Sequence, residues 1–406
     1  MANENDARSP FSEAVGRIRL SASNAASQRA RELKASGRSI INLTVGEPDF
    51  DTPDYVKQAA IAAIHAGATK YTTIDGTAEL KAAIVEKFYR ENGLVFEPTE
   101  ISVGAGAKQT IFNAFMATLN QGDEVILPAP YWVSYPDMVS LVGGKTVILS
   151  PSSPDLKLRP EELAAAITPR TRWLLLNSPS NPSGAVYDRH ELRALLDVVA
   201  PHRRIWVMSD DIYEHIIFGD RTFATPAGVA PEMRERILTV NGVSKAYAMT
   251  GWRLGYAAGP KELIRQMAKV QSQSTSNPSS ISQAAAAAAL IGPQDIVRER
   301  CRAFERRAKM IVGLLSDVPG LNCTMPEGAF FMFPDVTAFM GRRSPDGREI
   351  QSDLALANYL IEGAGVATVH GSAYGQPNRI RLSFAASEDD LRESCRRIRE
   401  ALAKLA

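Results

Sequence analysis

Between residues 101 and 258, short apolar runs alternate with amphipathic stretches. The runs are Ile101 to Val103, Glu124 to Leu127, Lys145 to Leu149, Trp173 to Leu176, Ile205 to Met208, Ile237 to Val240 and Leu254 to Ala257. Most are rich in Val, Ile and Leu, which predicts strands buried on both faces of a mostly parallel sheet. Their alternation with helical patterns makes this part of the chain α/β. Upstream, Ser12 to about Gly37 reads as largely helical and leads into a short strand, Ile40 to Val45. Gly46-Glu-Pro-Asp-Phe-Asp-Thr-Pro53 is predicted as loop, because each proline disfavours helix at the residue before it. Helical periodicity returns in Tyr55 to Ala66 and in Ala78 to Asn92, where Leu80, Ile84, Val85 and Phe88 share one face.

After Pro293 the pattern changes. A long charged helix is predicted to about Leu315, then strand pieces at Gly328 to Phe333, Val366 to Val369 and Ile380 to Phe384, and a closing amphipathic helix from Glu388. This reads as a smaller α+β unit, with no Ser/Gly linker marking its border. Ala284 to Ile291 is an apolar run of eight residues. A membrane span needs about 20, so a close-packed buried helix is the expectation.

Composition narrows the functional classes. At roughly 150 residues per domain, 406 residues suggest two to three domains. Forty-six Lys and Arg against 45 Asp and Glu leave a net charge of +1. No overall field attracts nucleic acid or an anionic membrane. The polar, acid-bearing N-terminus lacks the pattern of a secretory signal. Cys301, Cys323 and Cys395 are odd in number and lack CxxC spacing, which points to a reducing compartment and a cytoplasmic location. His65, His190, His202, His215 and His370 show no ligand spacing, so no metal site is expected. His215 stands two residues after Tyr213 without a role.

Four loops carry candidate chemistry. Asn241-Gly-Val-Ser-Lys245-Ala-Tyr-Ala-Met-Thr-Gly-Trp-Arg253 sets a lysine among small and apolar residues after a buried strand. Desolvation there lowers an amine pKa and makes a nucleophile, although a lone Lys in a small-residue turn also reads as a surface residue. Arg253, beside Gly251 and Gly255, suits a bound phosphate. Ser209-Asp210-Asp211-Ile-Tyr213 and Asn177-Ser-Pro-Ser-Asn181-Pro-Ser-Gly184 both follow strands, at the edge where open α/β sheets bind ligands. Gly104-Ala-Gly106-Ala-Lys108 opens a helix whose free N–H groups can hold a phosphate. Each of these also reads alone as turn chemistry or a helix cap.

Together, in the order NPxG, SDxxY and SKxxxMxGxR, these motifs resemble the class I aminotransferases of fold type I, which use pyridoxal 5′-phosphate (PLP). Within that family the resemblance is closest to bacterial aspartate and aspartate/prephenate aminotransferases, through Pro130-Tyr-Trp-Val-Ser-Tyr-Pro136 and the stretch from Asn241 to Arg253. It implies the PLP-dependent transferase fold type I. A large domain with a mostly parallel seven-stranded sheet would span residues 49–304. A smaller α+β domain would combine residues 14–48 and 305–406, after an N-terminal tail of residues 1–13.

The resemblance implies that Lys245 forms the Schiff base with the cofactor and carries the proton. Asp210 would face the pyridine nitrogen. Tyr213 and Asn181 would bond the ring 3-oxygen, and Trp132 would stack on the ring. Arg253, the backbone of Gly106, Ala107 and Lys108, and Tyr71 of a neighbouring subunit would hold the phosphate. Arg381, Asn181, Trp132 and Gly46 would bind the substrate α-carboxylate. The implied reaction is ping-pong transfer of an amino group from an L-amino acid, aspartate or glutamate, to a 2-oxo acid such as 2-oxoglutarate, in a homodimer with shared sites. An aromatic or prephenate aminotransferase and a PLP lyase are the alternatives.

One departure stands out. Related enzymes carry Gly-Gly-Lys where this chain has Gly106-Ala107-Lys108, and Ala107 still offers its N–H. The resemblance implies that Lys108 meets a distal carboxylate of the substrate; a lysine that merely flanks the phosphate is the alternative. Ser21 and Ser23 match a short region bordering the substrate in the family, and Arg379 is expected to be a plain surface arginine.

Overall fold

The computed structural model describes residues 10–406, so most of the expected N-terminal tail lies outside the described residues. Twelve strands occur among them: β1 (Ile41–Asn42), β2 (Ile101–Gly104), β3 (Glu124–Pro128), β4 (Lys145–Leu149), β5 (Thr171–Asn177), β6 (Trp206–Asp210), β7 (Ile237–Gly242), β8 (Gly255–Ala258), β9 (Phe331–Met332), β10 (Val366–Ala367), β11 (Val369–His370) and β12 (Ile380–Ser383). The seven runs predicted as buried strands form one sheet, in the order β2-β8-β7-β6-β5-β3-β4. Only β8 runs against its neighbours, β2 and β7.

Alternation along these strands fills two cores. Trp173 and Leu175 join Met208, Leu238 and Val240 on one face, while Leu174 and Leu176 join Val207 and Ile237 on the other. Each fully buried Leu or Val contributes about 1.5–3 kcal/mol over its exposed state. β4 departs from the expectation: as an edge strand its residues are half-buried or exposed. It has a partner on one side only, β3.

The helices Asp54–His65, Ala78–Asn92, Ser280–Ile291 and Asp295–Leu315 lie where periodicity puts them. Helix Ala78–Asn92 starts at Thr77, whose hydroxyl accepts from Leu80 N, and stops at Gly93, whose φ of 65° favours glycine. The alanine-rich helix buries Ala285, Ala286, Ala289 and Leu290. The helical reading of Ser12 to Gly37 is interrupted: Glu13–Gly16 and Ala22–Ala35 are separate helices.

The predicted strands outside the main sheet are shorter than expected. Only Ile41–Asn42 of the Ile40 to Val45 run pairs, parallel to β10. Val366 to Val369 splits into β10 and β11, which serve two different sheets, and β11, β12 and β9 form the third. An apolar run marks burial, whereas a strand also needs a partner along its length. An aromatic core lies beneath these sheets, built around Phe304, Phe330, Phe331 and Phe384. No helix among the described residues is long and apolar enough to cross a membrane.

Candidate active site

The sheet register gathers the candidate residues at one edge. β2, β3, β5, β6 and β7 all end there, and β8 begins there, with Gly104 and Gly242 both opposite Gly255 and Asn177 opposite Asp210. The loops leaving these ends surround a cavity of about 310 Å³. Its walls include Gly46, Ala107, Lys108, Trp132, Asn181, Asp210, Tyr213, Lys245, Arg253 and Arg381, with Ser21 and Ser23 at the N-terminal side.

Lys245 follows the end of β7 and is enclosed. Burial pushes its amine down to about 8; Glu47 and Asp210 oppose the shift, while Arg253 and Arg381 add to it. Its Nζ donates to the Gly46 carbonyl. Thr250 donates to Glu47 at 2.6 Å, so a second bond ties the loops of Lys245 and Gly46 together.

Asp210 closes β6 and is 4 % exposed. Burial pushes its carboxyl up to about 6, against a bond from Tyr135 and the attraction of Lys245. The Tyr135 hydroxyl donates to Asp210 Oδ2 at 2.6 Å, and Asn177 Nδ2 donates to the Asp210 carbonyl at 2.8 Å. Asn177 Oδ1 also accepts from Asn181 N at 2.9 Å. Sequence reasoning had Tyr135 and Asn177 inside its motifs and gave neither a role. Their signal was position: Asn177 is the last residue of β5, and Tyr135 lies one helical turn after Trp132, against which its ring packs edge-on at 5.3 Å. The neighbouring Asp211 turns away from the cavity to the Ser209 hydroxyl.

Two guanidinium groups flank the amine. Arg253 adopts the left-handed conformation, φ 53° and ψ 58°, at a cost of about 1–3 kcal/mol, and Nη1 donates to Thr250 O at 2.8 Å. Its head lies against Gly106: a Cβ there would come within 2.5 Å of Arg253 Nη2. Gly106 N-caps helix Ala107–Thr118 with φ 92°, so the helix N–H groups and Arg253 share one cradle. A Cβ on Gly255 would meet Ala107 N at 2.1 Å, which is why β8 can approach this loop only with glycine. Lys108 Nζ sits 4.8 Å from the Trp132 ring, and burial together with Arg253 lowers its pKa.

Arg381 comes from β12 and is 2 % exposed. Nη1 donates to Asn181 Oδ1 at 2.9 Å and Nη2 to the Thr44 carbonyl, while the guanidinium lies 4.4 Å from the Phe331 ring. Its Nε has no partner. A buried guanidinium that lines the cavity and has no carboxylate partner suits an anion. Ser23 meets the Tyr374 hydroxyl at 3.2 Å.

Three residues lie elsewhere. Tyr71 is outside the cavity of its own chain and 91 % exposed. His215 faces Glu91 at 2.9 Å, away from the cavity. Arg379 is not the surface arginine expected: it is half-buried, donates to Phe333 O at 2.9 Å and lies 3.6 Å from Asp335. Its backbone pairs just before β12, so the side chain is drawn onto Phe333 rather than into solvent.

A mostly parallel sheet whose edge carries a half-buried lysine and a buried aspartate, with two arginines lining the same cavity, defines an α/β enzyme for anionic substrates. The chain belongs to the aminotransferase class I and II family, whose model matches residues 38–398. It is 53 % identical to an aspartate/prephenate aminotransferase of Cereibacter sphaeroides over 98 % of this chain and 99 % of that one. A crystal structure of the aspartate aminotransferase from Rhizobium meliloti, 52 % identical, superposes with a TM-score of 0.95 over 98 % of this chain and 100 % of its own. The aspartate aminotransferase from Thermus thermophilus with maleate is 42 % identical, with a TM-score of 0.90 over 97 % of this chain and 100 % of its own. The protein is a transaminase of fold type I.

Proposed function

We propose that this transaminase uses PLP to move the amino group of aspartate or glutamate to a 2-oxo acid, in ping-pong fashion. The observation that carries the reading is the single cavity in which Lys245, Asp210, Arg253 and Arg381 meet. The residues fit the cofactor. The Gly106 and Arg253 cradle takes a phosphate, and the buried Asp210 carboxylate takes the proton-bearing ring nitrogen. Asn181 and Tyr213 would bond the ring oxygen, and Trp132 would cover the ring face, all three lining the cavity. Bound PLP supplies an aldehyde that links to amines and a ring that accepts the electrons of a broken Cα–H bond.

The chain's own groups do the rest. Lys245, with its amine held near 8, is neutral often enough at physiological pH to take the proton from the substrate Cα and deliver it again. Asp210, braced by Tyr135 and Asn177, holds a proton at the ring nitrogen. Arg381 orients the α-carboxylate from the cavity wall, with Asn181 fixing the guanidinium plane. The Gly46 carbonyl holds the Lys245 amine in place until substrate arrives.

Lys108 supports a dicarboxylic substrate. It lines the cavity and has no carboxylate within ion-pair distance among the described residues. Two relatives bear names that agree, one for aspartate and prephenate and one solved with maleate, itself a dicarboxylate. The first name also favours a second amino acceptor, prephenate, for the same site.

A homodimer is part of the proposal, because exposed Tyr71 completes a phosphate site only from a neighbouring subunit. Residues 14–48 with 305–406 are proposed as the smaller domain and 49–304 as the larger; the pairing of β1 with β10 supports the joining of the two chain ends. The cysteine reading supports a cytoplasmic location. The test compares aspartate and phenylalanine as donors to 2-oxoglutarate in wild type and Lys108→Ala. Loss of aspartate turnover with phenylalanine turnover intact supports the dicarboxylate role. Unchanged aspartate turnover refutes it, and a wild type that retains no PLP absorbance after free PLP is removed refutes the cofactor.

A further inference from the structure

Behind the cavity, on the far side of Asp210 and Lys245, lies a buried charged cluster that the reaction does not use. Lys87, on helix Ala78–Asn92, is fully buried, and its ammonium pairs with Glu214, itself 7 % exposed. Lys87 also donates to Asn92 Oδ1 at 2.8 Å and lies 3.6 Å from Glu91. Glu214 accepts from Asn241 Nδ2 at 2.7 Å and from Asn92 Nδ2 at 2.8 Å. Glu91, Glu214 and His215 are close enough together to hold a cation, and the Lys87 ammonium supplies it.

The connectivity gives this cluster its meaning. Glu214 directly follows Tyr213 and lies four residues after Asp210; Asn241 lies four residues before Lys245. Asp211 N donates to Val240 O at 2.8 Å where β6 ends beside β7, and the Asn241 to Glu214 bond continues the pairing beyond that point. Asn241 Oδ1 in turn accepts from Gly242 N at 2.7 Å, fixing the start of the lysine loop. We propose that Lys87 and Glu214 are positioning residues, whose buried ion pair locks the loop of Asp210 and Tyr213 to the loop of Lys245 and so sets how these three groups meet the cofactor. This rests on the PLP reading above. A fully satisfied buried network has few alternative geometries, and a half-satisfied one has many, so losing either charge loosens both loops together.

The groups facing the pair are Glu91 and His215, with Arg90 beside Glu91, Asp211 on the strand side, and Tyr247 and Tyr256 packed nearby. The test uses the PLP-loaded enzyme as wild type, Lys87→Met, the double variant Lys87→Met with Glu214→Gln, and Asn92→Ala. Three quantities are read: melting temperature, equilibrium affinity for PLP, and the pH midpoint of the visible absorbance of bound PLP. Lys87→Met is expected to bind PLP about tenfold more weakly and to move the midpoint by about half a unit or more. The double variant has no unpaired buried charge; it is expected to regain most of the melting temperature while keeping the displaced midpoint. Asn92→Ala, at the helix end, keeps the fold and shows a smaller shift of affinity and midpoint in the same direction. If the folded variants lose melting temperature but keep wild-type affinity and midpoint, the pair only holds the fold and the inference is wrong. Should Lys87→Met fail to fold, Asn92→Ala with wild-type affinity and midpoint overturns it alone. A wild type that retains no PLP absorbance once free PLP is removed overturns the cofactor reading, a different outcome from either.

Discussion

Replacing Tyr135 by phenylalanine removes one oxygen from a fully buried position and leaves the ring that packs edge-on against Trp132. The lost group is the donor at 2.6 Å to Asp210 Oδ2. A hydrogen bond to a charged acceptor is worth about 1.5–3 kcal/mol, and one pKa unit corresponds to about 1.4 kcal/mol. In cofactor-free protein the Asp210 midpoint, pushed up to about 6 by burial, should therefore rise by about one to two units. The sign follows from linkage. The folded state already binds this proton more tightly than the unfolded chain, so wild-type stability from this group falls as pH rises from about 4 to about 6. In Tyr135→Phe the fall continues to about 7–8, so the variant's deficit is largest above that range and shrinks in mild acid, where both proteins hold the proton. Urea unfolding at a series of pH values reads the deficit, and difference infrared spectroscopy of the protonated carboxyl reads the midpoint. Asp211, pushed up to about 7 by burial, titrates in the same range, so the comparison is repeated in an Asp210→Asn background. A deficit independent of pH, or one equally large in the Asp210→Asn background, would refute the coupling of Tyr135 to Asp210.

Other outcomes follow from the same geometry. Lys245→Ala should abolish transamination in a steady-state assay while leaving the fold intact by circular dichroism; retained turnover would exclude Lys245 as the proton carrier. Arg381→Leu removes the charged partner of the α-carboxylate and should lower kcat/KM by about 100-fold or more, with Asn181 and the Thr44 carbonyl left to rearrange. Gly255→Ala places a methyl 2.1 Å from Ala107 N and should cost PLP binding or folding outright, seen by gel filtration and cofactor titration. In cofactor-free protein, capture of a small aldehyde by Lys245 should slow about tenfold per pH unit below its midpoint near 8, because only the neutral amine reacts.

The seven sheet strands and the long helices were legible because burial on both faces and an amphipathic period leave strong local marks. Lys108, Asn181, Asp210 and Lys245 were legible for a related reason, since each stands at or just after the end of a strand, whereas Arg381, inside β12, and Trp132 and Tyr71 were named only through the family resemblance. What escaped was pairing across sequence distance. Ile40 to Val45 and Val366 to Val369 are apolar enough for strands, yet only two residues of the first pair and the second divides between two sheets, because the partner's course and not the local pattern sets the length of a ladder. Tyr135 and Asn177 had no periodicity to reveal them as the braces of Asp210, 75 and 33 residues away. Arg379 was read by its loop context and its hydrophilic type. Its half-buried position depends on Phe333 and Asp335, which the fold brings beneath it.

By itself the sequence determined the α/β class, the order of the chemical loops and the presence of a lysine suited to desolvation, since hydrophobic period and residue type act locally. Tertiary structure decided which side chains share one cavity, which of two adjacent aspartates faces it, and how far burial moves Lys245 and Asp210 from their ordinary pKa values. Those outcomes depend on dielectric surroundings and on partners dozens to hundreds of residues away, quantities that come into being only when the sheet closes its edge around the site.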